Sequence, residues 1–132
     1  MKKILAILAV SLLAGCADKG KQAAENAHNF LDAFLANDYD KAAQMCTDDF
    51  RNEFNVVVKD FRELDDNMKE LLVNECRQYK AQTGTVQRVN GSDTFKVEYK
   101  IVKAEPDSMT VETTYIDGML TIVGEKVAGL GE

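Results

Sequence analysis

The spacing of apolar residues changes from a helical to a strand period close to Gly84, and this change constrains the fold more than any other feature of the sequence. Before it, apolar side chains recur every three or four residues, which is the period of one helix face. After it, they alternate with polar side chains, as in a strand buried on one face. Helices followed by strands are typical of an α+β domain. We therefore predict an α+β fold, with N-terminal helices packed on one face of a curved four-stranded antiparallel sheet.

The first predicted helix begins at Gln22. Its apolar stripe consists of Ala23, Ala27, Phe30, Leu31, Phe34 and Leu35. Asn37 and Asp38 interrupt the stripe, and either can cap a second, short helix over about residues 39–45.

The apolar spacing over residues 48–81 fits one continuous helix, but such a helix would extend about 50 Å, which is too long for a small domain. Residues 65–67 favour helix caps and therefore a break. We predict two antiparallel helices with a turn near residues 64–67, and one long helix is the alternative.

Four strands are predicted at about residues 85–89, 95–101, 109–115 and 119–123. Asn90-Gly91 and Asp117-Gly118 are dipeptides that tight hairpins favour, because both central residues adopt a positive φ. Pro106-Asp107 marks the middle turn. We expect the glycine-rich end after Gly124 to be frayed.

The first 16 residues have the pattern of an export signal. Lys2 and Lys3 precede a short apolar run, and small residues follow it, as in a secretory signal peptide. Leu13-Ala14-Gly15-Cys16 resembles the lipobox of bacterial lipoproteins, in which the leader is removed and the new N-terminal cysteine is acylated. An ordinary signal peptide is the alternative. A transmembrane helix would need about 20 apolar residues.

This resemblance implies a leader at residues 1–15, a lipid-modified Cys16 with a tether to residue 21, and a single domain over residues 22–132. Removal of the leader leaves 117 of the 132 residues, enough for one domain, and lowers the formal net charge from −6 to −8. An acidic chain disfavours a nucleic-acid partner, which needs a basic face. The expected location is the cell envelope. Because Ala17 rather than aspartate follows the cysteine, we prefer the outer membrane facing the periplasm over the inner membrane.

Export would place Cys46 and Cys76 in an oxidising compartment, where two cysteines favour a disulfide. Closing a loop of about 30 residues would contribute on the order of 3 kcal/mol. Two buried free thiols are the alternative. These cysteines and the lone His28 cannot complete a tetrahedral zinc site, and we expect no metal and no cofactor.

Two segments carry a second resemblance. Residues 30–43, which include Asn37-Asp38-Tyr39-Asp40-Lys41-Ala42, are similar to the helix junction that opens the nuclear transport factor two-like, or cystatin-like, lipoproteins of unknown function. Asp117-Gly118-Met119-Leu120 matches the position where that family usually carries Asp-Gly-x-Trp, although this chain has no tryptophan. The resemblance covers about residues 23–126. It implies a cone-shaped fold that hosts enzymes, binding modules and scaffolds.

Enzymes of this fold, such as the ketosteroid isomerases, work inside the cone between helices and sheet. The groups available here for such chemistry are Asp32, Tyr39, Tyr99 and Tyr115. Their spacing does not favour a catalytic set. His28, which we expect to be an exposed helical residue, cannot form a nucleophile set alone.

We therefore predict a non-catalytic, membrane-anchored binding module rather than an enzyme. Its candidate pocket residues are Phe34, Phe54, Phe61, Phe95, Tyr99 and Tyr115. The expected partners are the membrane, through the lipid anchor, and a small apolar ligand or an envelope component. One alternative is an inhibitor or immunity protein that meets a basic envelope protein through Asp38, Asp40, Asp48 and Asp49. A second alternative is an isomerase- or hydrolase-like enzyme.

Overall fold

The structure is a computed structural model that describes the backbone of residues 2–104 and 112–131 and the side chains of residues 19–103 and 112–130. The helices are α1 Lys2–Leu35, α2 Tyr39–Gln44, α3 Asp48–Arg62 and α4 Asp66–Cys76. The strands are β1 Tyr79–Arg88, β2 Thr94–Ala104, β3 Glu112–Val123 and β4 Lys126–Gly131. They form one antiparallel sheet in the order β1-β2-β3-β4. The predicted α+β fold is confirmed.

The end of α1 follows from one residue with a positive φ. Asn37 has a φ of 61°, and the Asp38 N–H donates to the Ala33 carbonyl at 2.9 Å, which is the closing bond of a Schellman motif. The Asp38 carboxylate then accepts from the Lys41 N–H and caps α2. The predicted break at Asn37 and Asp38 is confirmed.

The region from 48 to 81 contains two helices, as predicted, but they are not a packed pair. Asp65 caps α4 by accepting from the Met68 N–H at 2.8 Å. However, α4 does not pack closely along α3, and none of its residues is buried. The helical region is also shorter than predicted, because β1 begins at Tyr79.

The segment predicted to be a tether, residues 16–21, is helical in the structure and belongs to α1. Lys19 Nζ lies 3.9 Å from Asp93 Oδ1, and Gly20 packs against Val86. The middle of α1 therefore lies against the β1–β2 hairpin. Five helical residues advance only about 7.5 Å, compared with about 17 Å when extended.

The turn predicted at Asp117-Gly118 is wrong, because β3 runs straight through it. Gly118 pairs with Tyr99, whose ring lies so close that a Cβ at Gly118 would be 3.0 Å from Tyr99 Oη. The glycine therefore makes room for an aromatic ring, and the chain turns at Gly124 instead, with a φ of 60°.

The predicted frayed end, including Gly129, Leu130 and Gly131, forms strand β4. The predicted Asn90-Gly91 turn is confirmed, with φ values of 48° and 68°. The Pro106-Asp107 turn and the start of the strand predicted at residues 109–115 lie outside the described residues.

The core lies between α1 and the sheet. Its buried members on α1 are Ala23, Ala27, Phe30, Leu31 and Ala33, and those on the strands include Phe95, Val97, Leu120, Ile122 and Val127. Among these α1 residues, the small Ala23 and Ala27 lie nearest the β1–β2 hairpin. The bulky Phe30 and Leu31 lie closer to the C-terminus of the helix. Small side chains allow a helix to approach a sheet more closely. We therefore infer that α1 and the sheet are closest near Ala23 and Ala27.

We predict that Gly118→Ala lowers the free energy of unfolding by about 1–3 kcal/mol, because the new methyl group must displace the Tyr99 ring. Gly129→Ala is the matched control, since nothing lies within 4 Å of a Cβ there. It should change stability by less than about 0.5 kcal/mol. Urea denaturation measures both, and equal effects would contradict the proposed role of Gly118.

Candidate ligand cavity

A cavity of about 570 Å³ lies between the helices and the sheet. Its helical wall is formed by Phe30, Leu31, Phe34, Leu35, Phe50, Phe54, Val57 and Leu72, and its sheet wall by Tyr79, Tyr99, Ile101, Tyr115, Ile116 and Leu130. The α1 residues that line it follow the small Ala23 and Ala27 along the helix. The cavity therefore occupies the end of the domain where bulky side chains separate the two layers.

Four of the predicted pocket residues lie together in this cavity: Phe34, Phe54, Tyr99 and Tyr115. Phe61 lines a second, smaller cavity of about 320 Å³, which shares Phe34, Val57 and Leu72 with the first. Phe95 lines neither cavity, because its inward-facing side chain is fully buried in the core.

Sequence reasoning missed several lining residues. Leu72 was visible in the helical spacing, whereas Tyr79 was assigned to a helix and Leu130 to a frayed end. The inward position of Tyr79 depends on where β1 begins, which has no strong local signal. That of Leu130 depends on the pairing of the chain end with β3 as strand β4, which the glycine-rich sequence did not indicate.

An aromatic cluster stabilises the helical wall of the cavity. The Phe54 ring centroid lies 5.7 Å from that of Phe30 and 6.3 Å from that of Phe34. Tyr39 extends the cluster, 5.8 Å from Phe34 and 5.1 Å from Phe61, and its hydroxyl donates to Asn37 Oδ1 at 2.7 Å. Tilted and edge-on pairs of this kind add stability beyond their buried area.

The rim of the cavity joins α4 to the sheet through Glu75. Its Oε1 atom accepts from the Tyr79 hydroxyl at 2.9 Å and lies 3.8 Å from Lys103 Nζ. The bond to this carboxylate raises the pKa of Tyr79. The rings of Tyr79 and Tyr115 lie 4.9 Å apart, and Lys103 Nζ lies 5.6 Å from the Tyr79 ring centroid. These side chains form a fixed aromatic and polar edge.

Helix α4 covers the cavity without being buried itself. Leu72 and Cys76 line both cavities, yet Leu72 is 40% exposed, and Leu71 and Met68 are exposed as well. The apolar side chains of α4 are therefore exposed to solvent or to the cavity, and they are not packed in the core.

Of the four groups considered for catalysis, Tyr99 and Tyr115 line the same cavity, whereas Asp32 and Tyr39 do not line it. Asp32 is exposed, lies 3.0 Å from the half-exposed His28, and lines no cavity. The Tyr39 hydroxyl is held by Asn37, and burial raises the pKa of Tyr99. The described residues include no group of three His, Cys, Asp or Glu side chains suited to a metal ion.

The predicted disulfide is not formed in the structure, where Cys46 and Cys76 are both free thiols. The bridge required α3 and α4 to pack side by side, which they do not. Cys46 is buried beside Val127 of β4, and its thiol donates to the Ala42 carbonyl at 3.3 Å. Burial raises the pKa of this thiol to about 11. Cys76 instead faces the cavity.

The acidic residues proposed for protein recognition are largely engaged within the domain. Asp40 lies 3.0 Å from Arg62, Asp48 lies 3.2 Å from Arg51, and Asp38 caps α2. Asp48 and Asp49 occupy the first turn of α3, where the helix dipole favours carboxylates.

Comparisons of the chain with protein families, with curated proteins and with solved structures found no match. The resemblance to the nuclear transport factor two-like lipoproteins therefore stays a prediction. No helix in the described part of the chain is long and apolar enough to cross a membrane.

We predict that an alkylating reagent modifies Cys76 faster than Cys46 in the native protein carrying Cys16→Ser. Cys76 is partly exposed, whereas Cys46 is only 1% exposed and should react only after unfolding. Alkylation followed by peptide mass spectrometry distinguishes the two sites, and Cys76→Ser should remove the fast reaction. Protein that is unfolded without reductant and still shows no free thiol would contradict the structure and restore the disulfide.

Proposed function

We propose that this protein is a membrane-anchored, non-catalytic binding module that holds a small apolar ligand between its helices and its sheet. The observation that carries the proposal is the cavity of about 570 Å³, which is lined almost entirely by aromatic and aliphatic side chains. Sites for small molecules have this size, this apolar lining and a few polar groups at fixed positions.

The exposure of the lining residues supports the same conclusion. Tyr115 is 66% exposed, Leu130 62% and Ile116 46%, although all three line the cavity. Soluble domains seldom leave apolar side chains contiguous and exposed in this way unless a ligand or partner covers them. A bound apolar molecule would remove this surface from water, at about 25 cal/mol for each Å² buried.

The position of Cys16 relative to the cavity bears on where a ligand would enter. Cys16 and Phe30 lie on the same helix, fourteen residues and therefore about 21 Å apart along its axis. The part of α1 just after Cys16 lies against the β1–β2 hairpin, through the contact of Lys19 with Asp93. The cavity beside Phe30 is therefore remote from Cys16, and if Cys16 carries the lipid, we expect the ligand to enter from the aqueous side.

We predict that Val57→Trp blocks ligand binding. Val57 lines both cavities and is 57% exposed, so an indole there can enter the cavity without disrupting the core. Binding of a neutral fluorescent dye, Nile red, should weaken by at least about tenfold. A bound ligand should also slow the alkylation of Cys76, which lines the same space.

Val56→Trp is the matched control, because Val56 is 60% exposed and lines no described cavity. It should bind the dye with an affinity within about twofold of the unmodified protein. Equal binding by the two tryptophan variants would show that the dye occupies another surface, and would refute the proposed site.

The anchor is tested separately. The mature N-terminus should carry a diacylglyceryl cysteine by mass spectrometry, and the protein should fractionate with membranes, because two or three acyl chains anchor stably. Cys16→Ser should move it to the soluble fraction, whereas Cys76→Ser should not. An unmodified N-terminus in a host with a working lipoprotein pathway would exclude the anchor.

A further inference from the structure

The charged side chains that line the cavity are all negative. They are Glu53 on α3 and Glu75 on α4, and no Lys, Arg or His lines the described cavity. Because the remaining lining is apolar or aromatic, these two carboxylates set the charge that a ligand meets.

Glu53 is the carboxylate that the protein leaves uncompensated. It lies three residues after Phe50 and four before Val57, both of which line the cavity, so the three share one helix face. Its side chain is exposed and makes no hydrogen bond or ion pair with any described residue. A charge at a partly apolar surface attracts an opposite charge more strongly than it would in bulk water.

Glu75, in contrast, already has partners. It accepts from Tyr79 at 2.9 Å and from Gln78 at 3.4 Å, and it lies 3.8 Å from Lys103. This contact also engages Lys103, which is therefore a poor partner for an anionic ligand. Glu53 is therefore the unpaired charge among the residues that line the described cavity.

Aromatic faces at the rim favour the same sign of ligand charge. Tyr79 and Tyr115 lie 4.9 Å apart, and Lys103 already lies over the Tyr79 ring. The negative face of an aromatic ring attracts cations, as the position of Lys103 over Tyr79 illustrates, and the Tyr115 ring can offer the same attraction to a ligand.

On these grounds we infer that the cavity selects apolar ligands with a cationic head group, of the alkylammonium class, over anionic amphiphiles such as fatty acids. In this arrangement the alkyl tail lies against Phe30, Phe34 and Phe54, and the head group lies near Glu53. This inference rests on the proposed function, because it specifies the ligand of the same cavity.

The test compares three probes with the same decyl tail, below their micelle concentrations: decyltrimethylammonium, decyl glucoside and decyl sulfate. Isothermal titration calorimetry on the full chain carrying Cys16→Ser gives each affinity. We expect the cation to bind about tenfold more tightly than the anion, with the neutral probe between them. This ratio should decrease as salt increases, because screening weakens charge interactions.

Glu53→Gln should reduce the cation-to-anion ratio severalfold and leave decyl glucoside binding within about twofold. Glu70→Gln is the matched control. It also removes one negative charge, but from an exposed residue of α4 that lines no described cavity, and it should leave the ratio unchanged. Val57→Trp should weaken all three probes.

The outcomes separate the two proposals. Binding of decyl glucoside with no preference for the cation, or a preference that Glu53→Gln leaves intact, would overturn this inference and leave the proposed function standing. Failure of all three probes to bind would overturn both.

Discussion

The close packing of Ala23 and Ala27 against the sheet determines where this domain is closed and where it is open. Both alanines are essentially fully buried, and they bring one end of α1 against the strands. Further along the same helix, Phe30 and Phe34 occupy the corresponding positions, and the cavity begins beside them. Burial of apolar surface stabilises the contact between α1 and the sheet in both regions. The large rings fill the space only in part, and a cavity of about 570 Å³ remains beside them. The cavity is thus a consequence of graded side-chain size along one helix.

The open end depends on a helix that contributes little to the core. No residue of α4 is buried, and its last turn is held to the sheet by the contacts of Glu75 with Tyr79 and Lys103. Elements with few buried apolar contacts are those that open locally at the lowest free-energy cost. Access to the cavity can therefore change while the packed end of the domain stays intact. The same few polar contacts at Glu75 set both the position of α4 and the charge of the rim.

Local signals in the sequence predicted the parts of the fold that local physics determines. The change of period predicted the α+β class, and Asn37 and Asp65 predicted helix ends that depend on their own backbone and side-chain bonds. The turn predicted at Gly118 was wrong because glycine is favoured both in turns and beneath aromatic rings. The ring that requires this glycine belongs to Tyr99, which lies on another strand. Phe34 and Phe54 were predicted correctly as pocket residues, because bulky side chains on the inward faces of two helices lie close together between the helices and the sheet. Glu53 was missed because only the folded arrangement shows that it lacks a partner.

The free thiols follow the same division between the closed and open ends. Thiol–disulfide exchange requires the thiolate, so a raised pKa protects a cysteine from oxidation. With a pKa of about 11, Cys46 is ionised in about one molecule in ten thousand at neutral pH, and its burial excludes reagents. Cys76 has a pKa raised by burial and by the nearby Glu75, but it faces the cavity. An apolar ligand would exclude water from this thiol and raise its pKa further, since desolvation disfavours the thiolate. In an oxidising compartment, occupancy of the cavity would therefore protect Cys76, the more accessible of the two thiols that the structure describes.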